Sequence, residues 1–584
     1  MDHIDSQALK DFFLHDEFAR QNGIEIVEIA EGYARTQVRL EPRHLNAGGS
    51  VQGGVLFTLA DLAFAAATNS HGTLTVTSAA NITFVRGASS GIITAQAHEI
   101  VNHRHLPFCE VQVTDEADNL LAIFTASGYR KEGVEYGHIG KTMKRAKLLC
   151  LALMMTVTMA GQNKNAPVNY DESKVPTFEV PDVMRCEDGQ RVESVRQWEK
   201  KRRPELLKMF SEQEYGVTPR HTGIKVKYEL VASNPEAMDG LATQKQIRFN
   251  FTGKNGKTHQ ALLLLYLPNN TKERVPVIVS YNFHGNQTTT FEEDVIFSPS
   301  KELMKSAGSE NWGRGEQASR WSYELALKRG YAVATMNYHD IFPDSPELRG
   351  HGILPLMPGY KKDSREGNEW GAIGVWAWGY SRIADYLEKE KRIDKDCMVV
   401  LGHSRLGKTS LWAGVQDKRF KVVISNDSGC GGAALSKRVI GENLARITAN
   451  FPHWFCPAFN IYSENEAALP FDQHELLALV APRHVYVASA EDDQWADPKG
   501  EYLSAYYAGP VYRLYDMLGL PSEEQPAIHQ PQHYDVGYHI RAGKHDVTEY
   551  DWRCYLDFCD KVFSDALAPR RTDKAQSSTT PHHN

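Results

Sequence analysis

Two patterns of apolar and polar residues divide the chain near residue 140. In IEIVEIAEGYARTQVRL (24–40) apolar and polar positions alternate, which is typical of strands with one buried face. Beyond residue 170, continuous apolar runs such as VPVIVSYNF (275–283) and CMVVLGHS (397–404) are separated by helical segments. Continuous apolar runs are typical of parallel strands covered on both faces. The pattern therefore predicts an α+β unit followed by a larger α/β unit.

A third pattern lies between the two units, in MKRAKLLCLALMMTVTMAGQNKN (143–165). A basic start precedes an apolar run from Leu148 to Ala160, and a polar stretch follows. Signal peptides have an apolar core of roughly 7–15 residues, whereas a membrane-spanning helix needs about 20. We therefore expect an export signal cleaved near Ala160 and Gly161, and no stable membrane span. A buried helix and a signal anchor, with the second unit outside the cell, are the open alternatives.

The composition is that of a folded soluble protein, because 42% of the 584 residues are hydrophobic and 24% are charged. A net charge of −8 without a long basic block argues against a nucleic acid partner. The eight cysteines include no C-x-x-C pair, and no glycine motif for nucleotides occurs. We therefore expect neither a metal ion nor a cofactor.

The candidate chemistry of the first unit lies in HLNAGGSVQGGVLFTLAD (44–61), where a glycine-rich turn precedes a long apolar helix predicted from Val55 to about Thr68. Free backbone N–H groups at a helix start, together with the helix dipole, can hold a carbonyl oxygen or a phosphate. Asp61 stands in this otherwise apolar helix, and a buried carboxylate needs a partner or a function.

Residues 1–133 resemble the hotdog-fold thioesterases of the phenylacetate-type acyl-CoA group, through Asn46, Gln52-Gly53-Gly54 and Leu59-Ala60-Asp61. The resemblance implies that Asp61 activates water or attacks the thioester, and that the Gly53 N–H polarises its carbonyl. Asn46 and Gln52 would assist in binding acyl-CoA. The family usually has histidine where this chain has Gln52, which still offers a donor. Hotdog sites form between subunits, so a dimer is implied; a unit that only dimerises is the alternative.

The candidate chemistry of the second unit lies in VVLGHSRLGKTSLWAG (399–414). An apolar strand runs into Gly402-His403-Ser404-Arg405 and then into a helix. A tight strand-to-helix turn of this kind presents a serine nucleophile at the edge of a parallel sheet. The sequence departs from a strict G-x-S-x-G pattern, because Leu406 occupies the last place.

A serine nucleophile needs a histidine base and an orienting acid, which follow it in the order acid, histidine in this kind of fold. His545 lies in the glycine-containing loop IRAGKHD (540–546), before a final helix. Two acids are candidates. Asp427 ends the strand after the elbow helix, and Asp493 follows the apolar run HVYVASA (484–490).

Residues 170–565 resemble the bacterial glucuronoyl esterases of carbohydrate esterase family 15. Five motifs in the family's order carry the resemblance, namely GHSRLGKTSLWAG, SNDSGCGGAALSKR, NFPHWFCPAFNIY, ASAEDDQWADPKGE and GYHIRAGKHD. They imply an α/β-hydrolase with a parallel-rich sheet between helices. Ser404 would be the nucleophile, His545 the base and Arg405 part of the oxyanion site.

The same resemblance implies further roles. The acid is Asp427, where the classical family members have glutamate, or Asp493, as in other bacterial members. Lys408 would contact the uronic acid, and the sugar cleft would be lined by Trp495, His453 and Trp454.

The implied reaction is hydrolysis of an ester of 4-O-methylglucuronate, a xylan side group that is esterified to lignin alcohols. The partner would be glucuronoxylan or a lignin–carbohydrate ester. Three alternatives are an acyl-CoA thioesterase acting through the first unit, an acetylxylan-type esterase, and a non-catalytic carbohydrate-binding protein. The joint presence of Ser404, Arg405 and His545 argues against the last.

Four segments are therefore expected: a hotdog unit (1–136), a linker with the export signal (137–165), an α/β-hydrolase unit (166–568) and a disordered polar tail (569–584). Acyl-CoA is cytoplasmic, whereas lignin-linked xylan lies outside the cell. We expect the esterase to reach the periplasm or be secreted, and the hotdog part to stay cytoplasmic if it is made separately. Met143 would then be the esterase's own start.

Overall fold

The computed structural model describes residues 6–13, 16–103, 107–135, 167–362, 365 and 367–564. The chain forms two compact units. The predicted export signal (143–165) and the predicted tail (569–584) lie outside the described residues, so both remain predictions. Among the helices that the structure describes, none is both long and apolar enough to cross a bilayer.

The first unit is an antiparallel sheet of six strands packed against one long helix. The strands lie side by side in the order β1-β2-β4-β5-β6-β3. The strands are β1 Ile24–Ala30, β2 Tyr33–Arg39, β3 Thr73–Phe84, β4 Ile92–Val101, β5 Phe108–Thr114 and β6 Leu120–Glu135, and the helices are α1 Ser6–Phe13, α2 Glu17–Gln21 and α3 Gly53–Asn69.

Helix α3 lies against this sheet because one face of it carries small and apolar side chains. Leu59, Ala63 and Phe64 are fully buried, and alanines at 60, 66 and 67 let the helix backbone approach the strands. The Gln52 side chain caps the helix by accepting the Gly54 N–H. The observed helix extends the predicted one by two residues at its start and one at its end, and the hotdog fold is confirmed.

The second unit contains a sheet of ten strands in the order β15-β16-β14-β13-β12-β10-β11-β9-β8-β7. The six strands from β16 to β11 run parallel, and the rest pair antiparallel. The bounds are β7 Lys225–Ala237, β8 Ala242–Thr252, β9 Thr258–Pro268, β10 Val275–Asn282, β11 Ala332–Asn337, β12 Ile393–His403, β13 Phe420–Asn426, β14 His484–Ala490, β15 Gln532–His533 and β16 Val536–Arg541.

Helices cover both faces of this sheet, which confirms the predicted α/β-hydrolase class. A π-helical stretch, Trp198–Arg202, joins the first two of them. The helices are α4 Val195–Gln197, α5 Arg203–Gln213, α6 Lys301–Ser306, α7 Tyr323–Lys328, α8 Ala372–Leu387, α9 Arg405–Gln416, α10 Leu444–Asn450, α11 Gln473–Ala478, α12 Pro498–Tyr507, α13 Gly509–Arg513 and α14 Glu549–Val562.

Strand β16 was not predicted, because polar residues interrupt its apolar pattern. His539 and Arg541 are nevertheless buried in it, and Asp551 of α14 bonds both of them at 2.8 Å. A buried polar side chain is tolerated when it is paired in this way. The strand places the loop with His545 at the carboxyl edge of the parallel strands, where sites of such sheets lie.

Candidate active site

The turn between β12 and α9 has the predicted strand–turn–helix form. Ser404 has φ 58° and ψ −128°, an unusual backbone conformation for a residue with a side chain. A Cβ on Gly402 would lie 1.8 Å from the Leu406 carbonyl oxygen, and a Cβ on Gly407 would lie 2.9 Å from the Ser428 Cβ. Glycine is therefore required on both sides so that the helix can start directly behind the serine.

His545 lies beside this elbow and is held by Asp493. The ring centroids of His545 and His403, the residue before the serine, are 4.4 Å apart. The His545 Nδ1 lies 2.6 Å from a carboxylate oxygen of the buried Asp493. Since an ionised carboxylate only accepts hydrogen bonds, Nδ1 carries the proton and Nε2 is left as a base.

Asp427 lies close to the same histidine, but its carboxyl group has different surroundings from that of Asp493. Neither of its carboxyl oxygens has a hydrogen-bond partner among the described residues, and an Arg541 nitrogen lies 3.6 Å away. Burial raises the pKa of Asp427 well above its ordinary value, and Glu501 and Asp493 raise it further. Asp427 is therefore biased towards its neutral form, unlike an acid that must stabilise a charged imidazole.

Asp427, Asp493 and His545 each offer one ligand atom, and these atoms lie within 4.8 Å of one another. Two carboxyl groups and one imidazole are suitable donors for a cation. In this arrangement, however, the Nδ1 of His545 already faces Asp493 as a hydrogen-bond donor. The geometry therefore fits a catalytic histidine oriented by one acid.

A second carboxylate, Asp344, fixes the side chain of Arg405. One Asp344 oxygen accepts from the Arg405 guanidinium and from the Tyr338 hydroxyl, the latter at 2.8 Å. The other accepts from His453 Nε2 and Trp454 Nε1, both at 2.7 Å. We call these five residues the Asp344 cluster.

Within the Asp344 cluster the Asp344 side chain is only 4% exposed, and that of Arg405 is 29% exposed. Burial would raise the pKa of Asp344, but Arg405 and His453 outweigh burial and hold that pKa well below its usual range. The guanidinium of Arg405 also lies 4.8 Å from the centre of the Trp454 ring. Asp344 is therefore ionised across the neutral range and keeps Arg405 in one orientation beside the nucleophile.

His453 and Trp454, which were predicted to line the sugar cleft, are held by Asp344, and their place in a cleft stays a prediction. Their side chains are only 6% and 3% exposed, and both ring N–H groups are directed to Asp344. Trp454 also stacks on Phe451, with ring centroids 3.7 Å apart and planes 5° apart. They lie behind Arg405 as supports, because an indole or imidazole N–H that is buried needs an acceptor.

Lys408, in the first turn of α9, and Glu442, in the loop after β13, are two buried side chains of opposite charge type. The Lys408 ammonium donates to the Ser428 carbonyl. Burial lowers the pKa of Lys408 and raises that of Glu442, and each charge opposes the shift of the other. Trp495, beside them, is 37% exposed, and its carbonyl accepts the Glu442 N–H at 2.8 Å.

Glu501 supports the loops that carry both candidate acids. One of its oxygens accepts the N–H groups of Ser428 and Gly429 at 2.8 and 2.9 Å, and the other accepts the Ser489 hydroxyl at 2.7 Å. Burial raises the pKa of Glu501 to about 8. The side chain therefore joins the loop after β13 to the end of β14.

The sequence interpretation missed Asp344, Glu442 and Glu501. Each has a weak signal that could have been used: all three lie in loops or helices that follow a buried parallel strand. The carboxyl ends of such strands are where functional side chains concentrate. Their partners come from distant segments, however, and a single sequence does not show those pairings.

The first unit places its candidate residues along α3. Gly53 is the first residue of the helix, and a Thr77 hydroxyl donates to Asp61 at 3.0 Å. Burial raises the pKa of Asp61. Asn46 accepts the N–H groups of Gly48 and Ser50 at 2.9 and 3.2 Å and so closes the turn before the helix. Gly53 and Asp61 are eight residues apart, about 12 Å along a helix.

Comparisons with known proteins agree with the geometry of the second unit. The profile described as "Glucuronyl esterase, fungi" matches residues 320–519. A curated carbohydrate esterase, MZ0003, from an unknown prokaryotic organism is 43% identical over 429 residues, which covers 70% of this chain and 97% of the relative. The chain belongs to carbohydrate esterase family 15.

This family 15 esterase is similar to two proteins of known structure. A promiscuous family 15 esterase from a marine bacterial metagenome is 41% identical to this chain, with a TM-score of 0.61. The match covers 68% of this chain and 99% of that protein. A glucuronoyl esterase from Solibacter usitatus is 42% identical to this chain, with a TM-score of 0.61. The match covers 67% of this chain and 99% of that esterase. The chain is therefore a carboxylic ester hydrolase.

A different profile matches the first unit of the esterase chain. The profile described as "Thioesterase superfamily" matches residues 48–122, which include α3 and the turn before it. This match confirms the resemblance at the level of the thioesterase superfamily.

The Asp344 cluster yields a prediction for the family 15 esterase. Asp344→Asn removes the charge that aligns Arg405, so kcat should fall by about 10- to 100-fold while KM changes little. Steady-state kinetics on a benzyl glucuronate ester measure both. Asp417→Asn is the control, because Asp417 pairs with Arg419 away from the elbow. Equal losses of kcat in the two variants would contradict a role for Asp344 at the site.

The contrast between Asp493 and Asp427 yields a second prediction. Asp493→Asn should lower kcat by roughly 10³- to 10⁴-fold, as expected when the orienting acid of a catalytic histidine is neutralised. Asp427→Asn should lower it less than about 10-fold, because Asp427 is already biased to its neutral form. A larger loss in Asp427→Asn than in Asp493→Asn would assign the orienting role to Asp427.

Proposed function

We propose that the second unit hydrolyses esters formed on the carboxyl group of 4-O-methylglucuronate, the side group of glucuronoxylan. The observation that carries the proposal is the combination of one elbow serine, one acid-held histidine and one carboxylate-held arginine. The solved relative from Solibacter usitatus is a glucuronoyl esterase, which supports this substrate class. Ester bonds between the uronate and lignin alcohols are the natural form of such a substrate.

The reaction begins at Ser404. Its Oγ attacks the ester carbonyl carbon while His545 Nε2 takes the hydroxyl proton. Asp493 holds the imidazole through Nδ1 and stabilises its charged form. The carbon–oxygen bond to the alcohol then breaks, and the alcohol leaves with the proton from His545. Water, activated by the same histidine, hydrolyses the resulting acyl-enzyme and releases the uronic acid.

Arg405 supplies positive charge where negative charge develops. Its backbone N–H is the first of helix α9 and has no acceptor within the helix. Its guanidinium is fixed by Asp344 before any substrate arrives. Donors that are already oriented stabilise a tetrahedral oxyanion without reorganising during the reaction. The contacts within the Asp344 cluster offset the entropy that the Arg405 side chain loses when folding holds it in one orientation.

Lys408, Glu442 and Trp495 suit the sugar part of the substrate. A buried ammonium can donate hydrogen bonds to sugar hydroxyls, and a buried carboxylate can accept hydrogen bonds from them. The partly exposed Trp495 ring offers a flat apolar face to a pyranose ring. An acetyl ester has no uronate group on its acyl side, so its acetyl group would make none of these contacts.

A second candidate function is acyl-CoA hydrolysis by the first unit, because Asp61 is partly buried in a helix of a thioesterase-superfamily fold. Gly53 and Asp61 of one chain lie about 12 Å apart along α3. A site that uses both would therefore take Gly53 from one copy and Asp61 from another, which requires a dimer. We propose this arrangement for the first unit alone.

Single substitutions separate the two activities. Ser404→Ala should lower benzyl glucuronate hydrolysis by roughly 10⁴- to 10⁶-fold and leave acyl-CoA hydrolysis unchanged. Asp61→Asn should do the reverse. Initial rates on both substrates, with acetylated xylan as a third, measure the pattern in the full chain.

Persistence of glucuronate ester cleavage in Ser404→Ala would overturn the serine mechanism. Faster hydrolysis of acetylated xylan than of the glucuronate ester by the unchanged chain would favour an acetyl esterase. Each outcome is read from the same set of assays.

A further inference from the structure

The first described residues of the second unit lie against the loops beside the sugar side of the active site. We call residues 167–174 the N-terminal strap. The Gly441 N–H donates to the Asn169 carbonyl at 2.8 Å, and the Asn443 side chain donates to the Pro167 carbonyl at 3.0 Å. The strap therefore contacts the residues on both sides of Glu442.

Glu172 adds ion pairs to these backbone contacts. Its carboxylate lies 2.8 Å from an Arg438 nitrogen and 2.7 Å from the Lys499 ammonium. Arg438 is only 3% exposed and also pairs with the buried Asp497 at 2.9 Å. The Arg438 end of this contact is therefore inside the protein, whereas the Glu172 side chain is 51% exposed.

The two loops that the strap joins carry the proposed sugar-binding residues. One is the 436–443 loop, which contains Arg438 and Glu442. The other is the 494–499 turn, which contains Trp495 and Asp497. They contact each other directly, because the Glu442 N–H donates to the Trp495 carbonyl and a Cβ on Gly441 would lie 2.4 Å from that same oxygen.

The strap itself contributes little to the hydrophobic core. Tyr170 is 55% exposed, and no residue of the strap is fully buried. Burial of apolar area is what would make a terminal segment matter for global stability. Its contacts are instead polar and are directed at the 436–443 loop and the 494–499 turn.

We propose that the N-terminal strap is a positioning segment for substrate recognition: Glu172 fixes Arg438 and Lys499 so that Glu442 and Trp495 stand at the spacing the sugar requires. The inference rests on the proposed function, since it takes the uronate ester as the substrate. The triad and Arg405 are held by other contacts, so the chemical step does not depend on the strap.

The test compares two esters on the full chain. Glu172→Gln should raise KM for benzyl glucuronate by about 3- to 10-fold with kcat nearly unchanged, because the side chain that pairs with Arg438 and Lys499 loses its charge. Hydrolysis of p-nitrophenyl acetate, which has no sugar, should not change. Replacing residues 167–174 with a Gly-Ser segment of equal length should raise KM further. The matched control is Glu179→Gln, an exposed carboxylate that follows the strap in the chain.

Three results would overturn the role of the strap. An unchanged KM in both strap variants would show that the loops keep their spacing without it. Equal losses on both esters, or a loss in Glu179→Gln as large as in Glu172→Gln, would show a general structural effect. A separate result concerns the proposed function. If the unchanged chain does not cleave benzyl glucuronate, the proposed function is wrong, and the role of the strap is then wrong as well. In the three results above, by contrast, the unchanged chain still cleaves this ester.

Discussion

The burial of one ionised carboxylate, Asp344, organises the reactive side of this esterase. A charge inside a protein is tolerated only when donors surround it, and Asp344 accepts from four side chains that come from three separate segments. Satisfying it therefore fixes the loop after β11, the start of helix α9 and the 453–454 segment relative to one another. Arg405 is oriented as a consequence, before any substrate is present.

A second buried carboxyl group, that of Glu501, connects other loops of the site. Glu501 accepts backbone N–H groups from the loop that follows Asp427 and a hydroxyl from the end of β14. Asp493 is bonded to His545, whereas neither carboxyl oxygen of Asp427 has a hydrogen-bond partner among the described residues. Two acids of equal chemistry thus differ in their surroundings: Asp493 bonds the histidine, whereas burial raises the pKa of Asp427 and favours its neutral form.

Much of this architecture follows from the sequence because local patterns determine it. The buried parallel strands, the elbow at Ser404 and the helix α3 are set by apolar runs and by glycines that short segments already contain. Strand β16 was missed, since its polar residues are paired only by the distant Asp551. The choice between Asp427 and Asp493, and the place of His453 and Trp454 behind Arg405, likewise depend on contacts between remote segments. The predicted export signal lies outside the described residues and stays a prediction.

The most direct measurement is a crystal structure of the full chain after reaction with a phosphonate analogue of a 4-O-methylglucuronate ester. We expect the phosphorus to be bonded to Ser404 Oγ and a non-bridging oxygen to lie about 3 Å from the Arg405 guanidinium, with Arg405 still paired to Asp344. A phosphonate bonded to Ser404 whose oxygen lies away from an unmoved Arg405 would contradict the role of the Asp344 cluster. A phosphonate bonded to any other residue would contradict the serine mechanism itself.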